Sequence, residues 1–244
     1  APGEVVRARV TAVQKNLAWG DAVEIVSASA DRVESVWPQA GPGGVGGGEL
    51  AHLRPAAQRE WKQRVIAGQL RRVGGEALAE AVASLGGVHV APAVGDEDPS
   101  DPLTGRRSRI DVVIDEAGRA GMHEFRGRRV IALDDMPLAV PAIRELGLFD
   151  EETPWRHLWK PGERVRAVAP STGAPIIVIG QDSYAADGTR IDVDTVRWDV
   201  PVAGTLESYD VRPSGFWQTH VRGAQVLANA VVAGAFGADE SGVG

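Results

Sequence analysis

RSRIDVVIDEAGRAGMHEFRGRRVIAL, residues 107 to 133, decides the fold. RSRIDVVID reads as a strand, EAG as a turn and RAGMHEF as the returning strand, a β-hairpin over 107–125. GRRVIAL (127–133) reads as a third strand. Further strands are expected at ERVRAVAPS (163–171), APIIVIG (174–180) and DTVRWDVP (194–201), with PSTGAP a tight turn between the first two. Upstream, EVVRARVTAV (4–13) alternates apolar and polar residues, and LAWGDAVEIVSAS (17–29) reads as a second strand with a bulge or turn at Gly20 and Asp21. Two strands are too few to stand alone, so they either complete a later sheet or belong to a small barrel.

Helices fill the remaining periodic segments. PAAQREWKQRVIAGQLRRVGG (55–75) has Pro55 in its first turn and Ala57, Trp61, Val65, Leu70 and Val73 at helical spacing. Gly74 and Gly75 stop it, and EALAEAVASL (76–85) follows as a shorter helix. LAVPAIRELGLF (138–149) and the apolar THVRGAQVLANAVVAGAF (219–236) complete the set. Strands, helices, a strand meander and a final helix define an α+β chain, because the βαβ alternation of a doubly wound fold is missing.

Composition narrows the function. The 244 residues suit one large domain or two small ones, and 43 % hydrophobic with 24 % charged residues is ordinary for a globular protein. No apolar run approaches the roughly 20 residues that span a bilayer, and APGEVVRARV lacks signal-peptide character. A cytoplasmic protein without membrane contact is expected. The absence of cysteine excludes disulfides, thiolate metal sites and cysteine nucleophiles from these residues. None of His52, His89, His123, His157 and His220 lies three or four residues from another, so no metal site is expected. Asp134 and Asp135, adjacent at a strand end, face opposite ways and do not suit shared acid–base work.

The net charge of −7 argues mildly against a dedicated nucleic-acid binder, but the charge is uneven. Residues 52–73 carry Arg54, Arg59, Lys62, Arg64, Arg71 and Arg72 against Glu60 alone, and residues 105–129 carry seven arginines against four acids. Much opposing charge sits in the loop GDEDPSD (95–101), read as solvated. The glycine-rich stretch WPQAGPGGVGGGELAH (37–52) lacks the lysine of a phosphate-binding P-loop and reads on composition as a structural turn or linker. In GFWQTH (215–220), Phe216 and Trp217 suit either stacking on a base or adenine ring or a place in the core, and Gln218 both donates and accepts hydrogen bonds.

Taken in order, these stretches resemble the RNA uracil-C5 methyltransferases, which transfer a methyl group from S-adenosylmethionine to tRNA or ribosomal RNA. APGEVVRARV and DAVEIVSASADRVE are similar to the second half of the family's TRAM domain, an OB-like barrel. PAAQREWKQRVIAGQLRRVGG and RRSRIDVVIDEAGRAGMHEFRGRRVI resemble its central domain, and GFWQTH its Phe-x-Gln motif. The resemblance implies residues 1–35 as the end of a TRAM barrel, 36–205 as a central RNA-binding domain, and 206–244 as the truncated opening of a class I methyltransferase domain. It implies Gln218 and Phe216 at the methyl-donor site. Many members hold a [4Fe–4S] cluster on four cysteines. Here those positions read Trp37, Val45, Gly48 and Met136, so no thiolate-held cluster is expected, and 37–48 reads as a cluster loop whose space is packed by apolar side chains. The family's catalytic cysteine and donor loop lie beyond these residues, so this chain is expected to be the RNA-gripping part of a longer enzyme. Arg59, Lys62, Arg64, Arg71, Arg72, Arg107 and Arg109 are the expected phosphate contacts, on a monomer. The alternatives are a non-enzymatic RNA-binding or scaffold protein and, weakest for want of the lysine, a phosphate-ligand enzyme.

Overall fold

Residues 1–236 are described here from a computed structural model; the part of the 206–244 segment beyond Phe236 lies outside them. The chain forms mixed α and β structure with antiparallel sheets, in two compact units, Ala1–Leu103 and a second beginning at Thr104.

In the first unit, β1 (Val5–Gln14) and β2 (Leu17–Ser27) pair only with each other. The register shifts between Val10 and Ala12, opposite Gly20 and Trp19, which puts the expected irregularity on the facing strand. Arg7 pairs with Glu24 and Arg9 with Asp21 on one face, while Val6 pairs with Ile25 on the other. No closed barrel forms among the described residues, and apolar residues of both strands stay exposed.

The glycine-rich stretch is neither linker nor cradle. Val33 and Val36 donate backbone hydrogen bonds to His52 and Ala51, closing residues 37–50 into a loop. A 3₁₀ turn, Pro38–Ala40, follows Trp37, and Val45 N–H donates back to the Gln39 carbonyl at 2.8 Å. Trp37 and Val45 are 2 % and 1 % exposed. Gly48 has no room for a side chain: a Cβ there would lie 2.6 Å from the Ala40 Cβ and 3.0 Å from Cε3 of Trp37. The buried indole N–H of Trp37 has no hydrogen-bond partner, a cost of about 1–3 kcal/mol that the packing of its ring must offset.

Helix α1 runs Pro55–Ser84 with a kink at Gly75, whose φ of 84° and ψ of 172° are non-helical, so the two expected helices meet where the glycines predict. Its packing differs from expectation. Only Pro55 and Ala57 are buried, and Trp61, Val65 and Val73 are exposed. The apolar residues do not converge on one side, so the helix has no single stripe to bury.

The second unit is built on a seven-stranded antiparallel sheet in the order β5-β4-β3-β6-β7-β8-β9. Its strands are β3 (Arg109–Ile114), β4 (Ala120–His123), β5 (Val130–Ala132), β6 (Arg164–Val168), β7 (Ile176–Ile179), β8 (Asp182–Ala185) and β9 (Arg190–Ile191). β3 sets the pattern: Ile110, Val112 and Ile114 are buried on one face, whereas Arg109, Asp111 and Val113 are half-buried on the other. Register carries the apolar face onward, pairing Ile110 with Ala167 and Val112 with Val165, then Ala167 with Ile177 and Val165 with Ile179. The segment between β5 and β6 adds Ile143, Leu148 and Trp155 to the buried set, with the Trp155 indole donating to the Leu146 carbonyl at 2.6 Å. Helix α2 there is only Pro141–Arg144, shorter than the expected 138–149, and turns follow it. All four residues of β7 are buried, as its unbroken apolar run requires.

The strand expected at 194–201 is present as β10 (Val196–Val202), but it leaves the main sheet and pairs with β11 (Thr205–Val211) through Ala203 and Gly204, both at positive φ. Helix α3 (Gly223–Phe236) starts four residues after the expected Thr219, because Thr219 and Val221 are engaged with residues 106–108. Asn229 clamps α3 to the hairpin, accepting from the Ala203 N–H at 2.8 Å and donating to the Pro201 carbonyl at 3.2 Å. No described helix is long and apolar enough to cross a membrane.

Gly48→Ala is expected to destabilise the protein by about 1–3 kcal/mol through overpacking against Trp37, read by denaturant unfolding. Gly3→Ala, with no atom within 4 Å of the added Cβ but a positive φ, is the control that separates backbone strain from crowding.

Candidate nucleic-acid interface

The second face of the sheet gathers charge. β3 and β6 pair Asp111 with Arg166 and Val113 with Arg164, which brings two arginines to one carboxylate. Arg166 Nε lies 2.8 Å from Asp111 Oδ1, and Arg164 lies 3.0 Å from Oδ2. Burial alone would raise the Asp111 carboxyl, but the hydrogen bonds from Arg166 and Arg164 together outweigh it and hold the group below the ordinary aspartate range. Arg109, two residues earlier on the same face, makes no ion pair among the described residues. Its guanidinium donates to the Gly215 carbonyl and lies 5.8 Å from the centre of the Phe216 ring. Burial, then the neighbouring Arg166 charge, lower its pKa, yet an arginine stays charged at neutral pH. Arg166 also donates to the Ser214 carbonyl, so the 212–217 segment is held by arginines of both strands. Asp111 therefore serves two cations, and the third, Arg109, lies beside a ring that is 75 % exposed.

This cluster includes residues that the sequence reading passed over. Arg164, Arg166 and Asp111 sit at alternate positions of RVRAV and RIDVVI, and that alternation was the available signal, since it places charges on the face opposite the core. Their convergence on one carboxylate depends on strand register.

Further along the same face the chemistry becomes apolar. Val168 and Ile176 pack with Trp198, and Trp217 joins them. Trp217 stacks on Trp198 at 5.0 Å and 21°, with Tyr209 tilted against it at 5.6 Å. Trp217 is thus a core anchor, while Phe216 beside it is not. Gln218 borders an open groove of about 480 Å³ between α3 and the β10–β11 hairpin, with Tyr209, Trp217, Leu227 and Val231 among its walls. Phe216 does not line that groove.

The remaining expected contacts are dispersed. Arg71 pairs with Glu76 at 3.0 Å across the kink of α1, and Arg72 donates to Gln69. Arg59, Lys62 and Arg64 make no ion pair among the described residues. At about 100° per residue, Arg64 and Arg71 share one side of the helix, Arg59 and Lys62 another and Arg72 a third, so the cations ring the helix instead of forming one face. Within 105–129, Arg119 pairs with Asp115 and Arg129 with Glu124, while Arg107 lies in the strand-like layer between residues 138–140 and 219–221. Met136 is buried in the second unit, as Trp37 and Val45 are in the first.

No protein-family model matches the chain. Curated relatives do. An uncharacterized RNA methyltransferase of Streptomyces avermitilis is 34 % identical over 253 aligned residues, covering 96 % of this chain and 56 % of the relative. One of Bifidobacterium longum is 31 % identical, covering 87 % of this chain and 48 % of that protein. A 23S rRNA (uracil(1939)-C(5))-methyltransferase of Halomonas elongata is 34 % identical over 147 residues, 59 % of this chain and 27 % of that enzyme. These similarities place the chain among the RNA methyltransferases. The chain spans about half the length of the curated relatives it matches most fully.

Asp111→Asn is expected to cost about 2 kcal/mol at neutral pH, the scale of a hydrogen bond to a charged group, because it leaves Arg109, Arg164 and Arg166 crowded without a carboxylate. The folded carboxyl titrates below its ordinary value of 3.8. Its stabilisation is therefore complete above that value and is lost as the pH falls through the lower folded value. Urea unfolding of both forms should show a gap at pH 7 that narrows under acid.

Proposed function

We propose that this chain is the RNA-gripping portion of an S-adenosylmethionine-dependent RNA methyltransferase acting at uracil C5 of ribosomal RNA or tRNA in the cytoplasm. The observation that carries the reading is the cluster of Arg109, Arg164 and Arg166 around the single carboxylate of Asp111 on a chain that aligns with RNA methyltransferases over 96 % of its length. Guanidinium groups suit bidentate phosphate contacts, which position a strand without reading its sequence. The cations around α1 offer phosphate contacts of their own on the first unit.

Domain roles follow the same reading. β1 and β2, with apolar residues exposed, fit as strands of a TRAM-type OB-like barrel. The central domain, including the packed loop 37–48 and the seven-stranded sheet, holds RNA. The loop keeps the glycine-rich path of a cluster loop, but its positions Trp37, Val45 and Gly48, with Met136, offer no thiolate for an iron–sulfur cluster. The methyl donor would meet Gln218, whose amide borders an otherwise apolar and aromatic groove, a chemistry that fits one hydrogen-bonded end of an adenosine-containing ligand. Phe216 would contact the donor or the RNA from the arginine side. The donor supplies an electrophilic methyl group; this chain's residues contribute binding and orientation.

The second reading, an RNA binder without catalysis, draws on the absence of any cysteine nucleophile from these 244 residues. One experiment separates the two. Purified protein as the native host makes it is incubated with host RNA and methyl-labelled donor. Label in RNA uracil supports the enzyme, and RNA binding without label supports the binder. For either, single-stranded RNA affinity should fall with salt by a log–log slope of about 0.7 per phosphate contact, near 3 for four contacts. Arg164→Glu combined with Lys62→Glu should lower that slope, and a salt-independent affinity would remove the arginine cluster from the argument.

A further inference from the structure

Beside the ion-pair network lies a cavity of about 210 Å³, bordered by Arg107, Arg109, Asp111, Met122, Met136 and Thr219. Pockets for drug-sized ligands run to roughly 300–1,000 Å³, so this one suits a single ring system. Its walls include the only two methionines of the chain. Thioether side chains are polarizable and adaptable, and they pack favourably against aromatic rings. Its lining residues include two arginines, which carry guanidinium donors, and an aspartate, which carries a carboxylate acceptor. Arg109 forms no ion pair among the described residues, though the nearby Asp111 charge favours its cation. Asp111 accepts from Arg166 Nε at 2.8 Å on Oδ1, and from Arg164 at 3.0 Å and Arg166 Nη2 at 3.4 Å on Oδ2; of the roughly four lone-pair sites of a carboxylate, about one remains to offer.

That pattern discriminates among bases. Guanine presents O6 and N7 as adjacent acceptors, the edge a guanidinium reads best. Next to them its N1–H and N2–H₂ are donors suited to a carboxylate. Adenine replaces O6 with a donor amine and so meets Arg109 with one acceptor fewer. Uracil and cytosine lack N7.

We propose that this cavity takes an unstacked guanine base of single-stranded RNA, Arg109 donating to O6 and N7 and Asp111 accepting from N1–H. The proposal rests on the RNA-binding reading above and goes beyond it, because it makes this face read a base and not only hold phosphates. Single-stranded RNA is recognised by splaying bases out of the stack and bonding their edges, and Met122 and Met136 supply the apolar contacts to the ring.

The test uses the full chain and two labelled single-stranded RNAs, an oligoadenylate and the same strand with one internal guanosine, followed by fluorescence anisotropy. The guanosine strand is expected to bind about tenfold tighter, with 5′-GMP competing better than 5′-AMP. Met122→Trp, which fills the cavity without touching the ion pairs, is expected to bring the ratio between the two RNAs to about one. Arg109→Lys, which keeps the charge but loses the fork, should do the same. Equal affinity of the wild-type protein for both RNAs, with salt-dependent binding intact, overturns the guanine site and leaves the RNA-binding reading standing. Binding of neither RNA, with 5′-GMP still preferred over 5′-AMP, overturns the RNA source and makes the cavity a free-nucleotide site. A ratio that survives Met122→Trp also overturns the proposal, since selectivity then arises elsewhere.

Discussion

The register of β3 against β6 is the constraint on which the second unit depends. With Asp111 opposite Arg166 and Val112 opposite Val165, β3 and β6 turn an apolar face to the core and carry Arg109, Asp111, Arg164 and Arg166 on the other. A slip of one residue would turn Arg109 and Asp111 toward the core and Ile110 and Val112 toward solvent. Hydrophobic burial and the ion-pair network therefore select the same pairing. The same choice places Arg109 beside the 212–217 segment, so the charged face and the loop bearing Phe216 are fixed by one decision.

A half-buried carboxylate among three arginines is not an efficient way to stabilise a sheet. Burial disfavours the charges of both Asp111 and Arg109, and the neighbouring Arg166 and Arg164 charges lower the Arg109 pKa further. An apolar pair of similar volume is often as stable in such a position. A surplus of cations fits a surface that meets an anionic partner, and the family to which the chain belongs acts on one. The first unit departs from packing economy in another way. Trp37 buries an unpartnered N–H in a loop where Gly48 leaves space only for the indole. Shape complementarity, without metal ligands or disulfides, orders that loop.

Helix α3 and the β10–β11 hairpin share a third character. The helix is apolar apart from Gln225 and Asn229, yet none of its residues is fully buried, and only Asn229 ties it to the hairpin turn by side-chain hydrogen bonds among the described residues. The groove beside Gln218 is consequently open on one side. The aromatic trio of Trp198, Trp217 and Tyr209 closes the other, which lets neighbouring residues Phe216 and Trp217 differ, one exposed and one anchored.

By itself the sequence determined the elements whose signals are local. The hairpin of 107–125, the run APIIVIG, the proline start of α1 and the break at Gly75 all follow from turn chemistry, β-branched runs and backbone freedom. The ordered set of weak motifs also pointed to the family. Tertiary structure decided what depends on distant partners. DSYA and the two-residue strand Arg190–Ile191 are too short and polar to carry a periodic signal, and they become strands because β7 offers an edge. Trp61, Val65 and Val73 recur along a helix but stay exposed, because spacing states only which positions could be buried and not whether anything lies opposite. Arg107 and Arg109 were legible as basic residues, but their separate settings were not, nor was the meeting of Asp111, Arg164 and Arg166 across 55 residues of chain. A sequence states charge and period; only a strand register turns them into a distance.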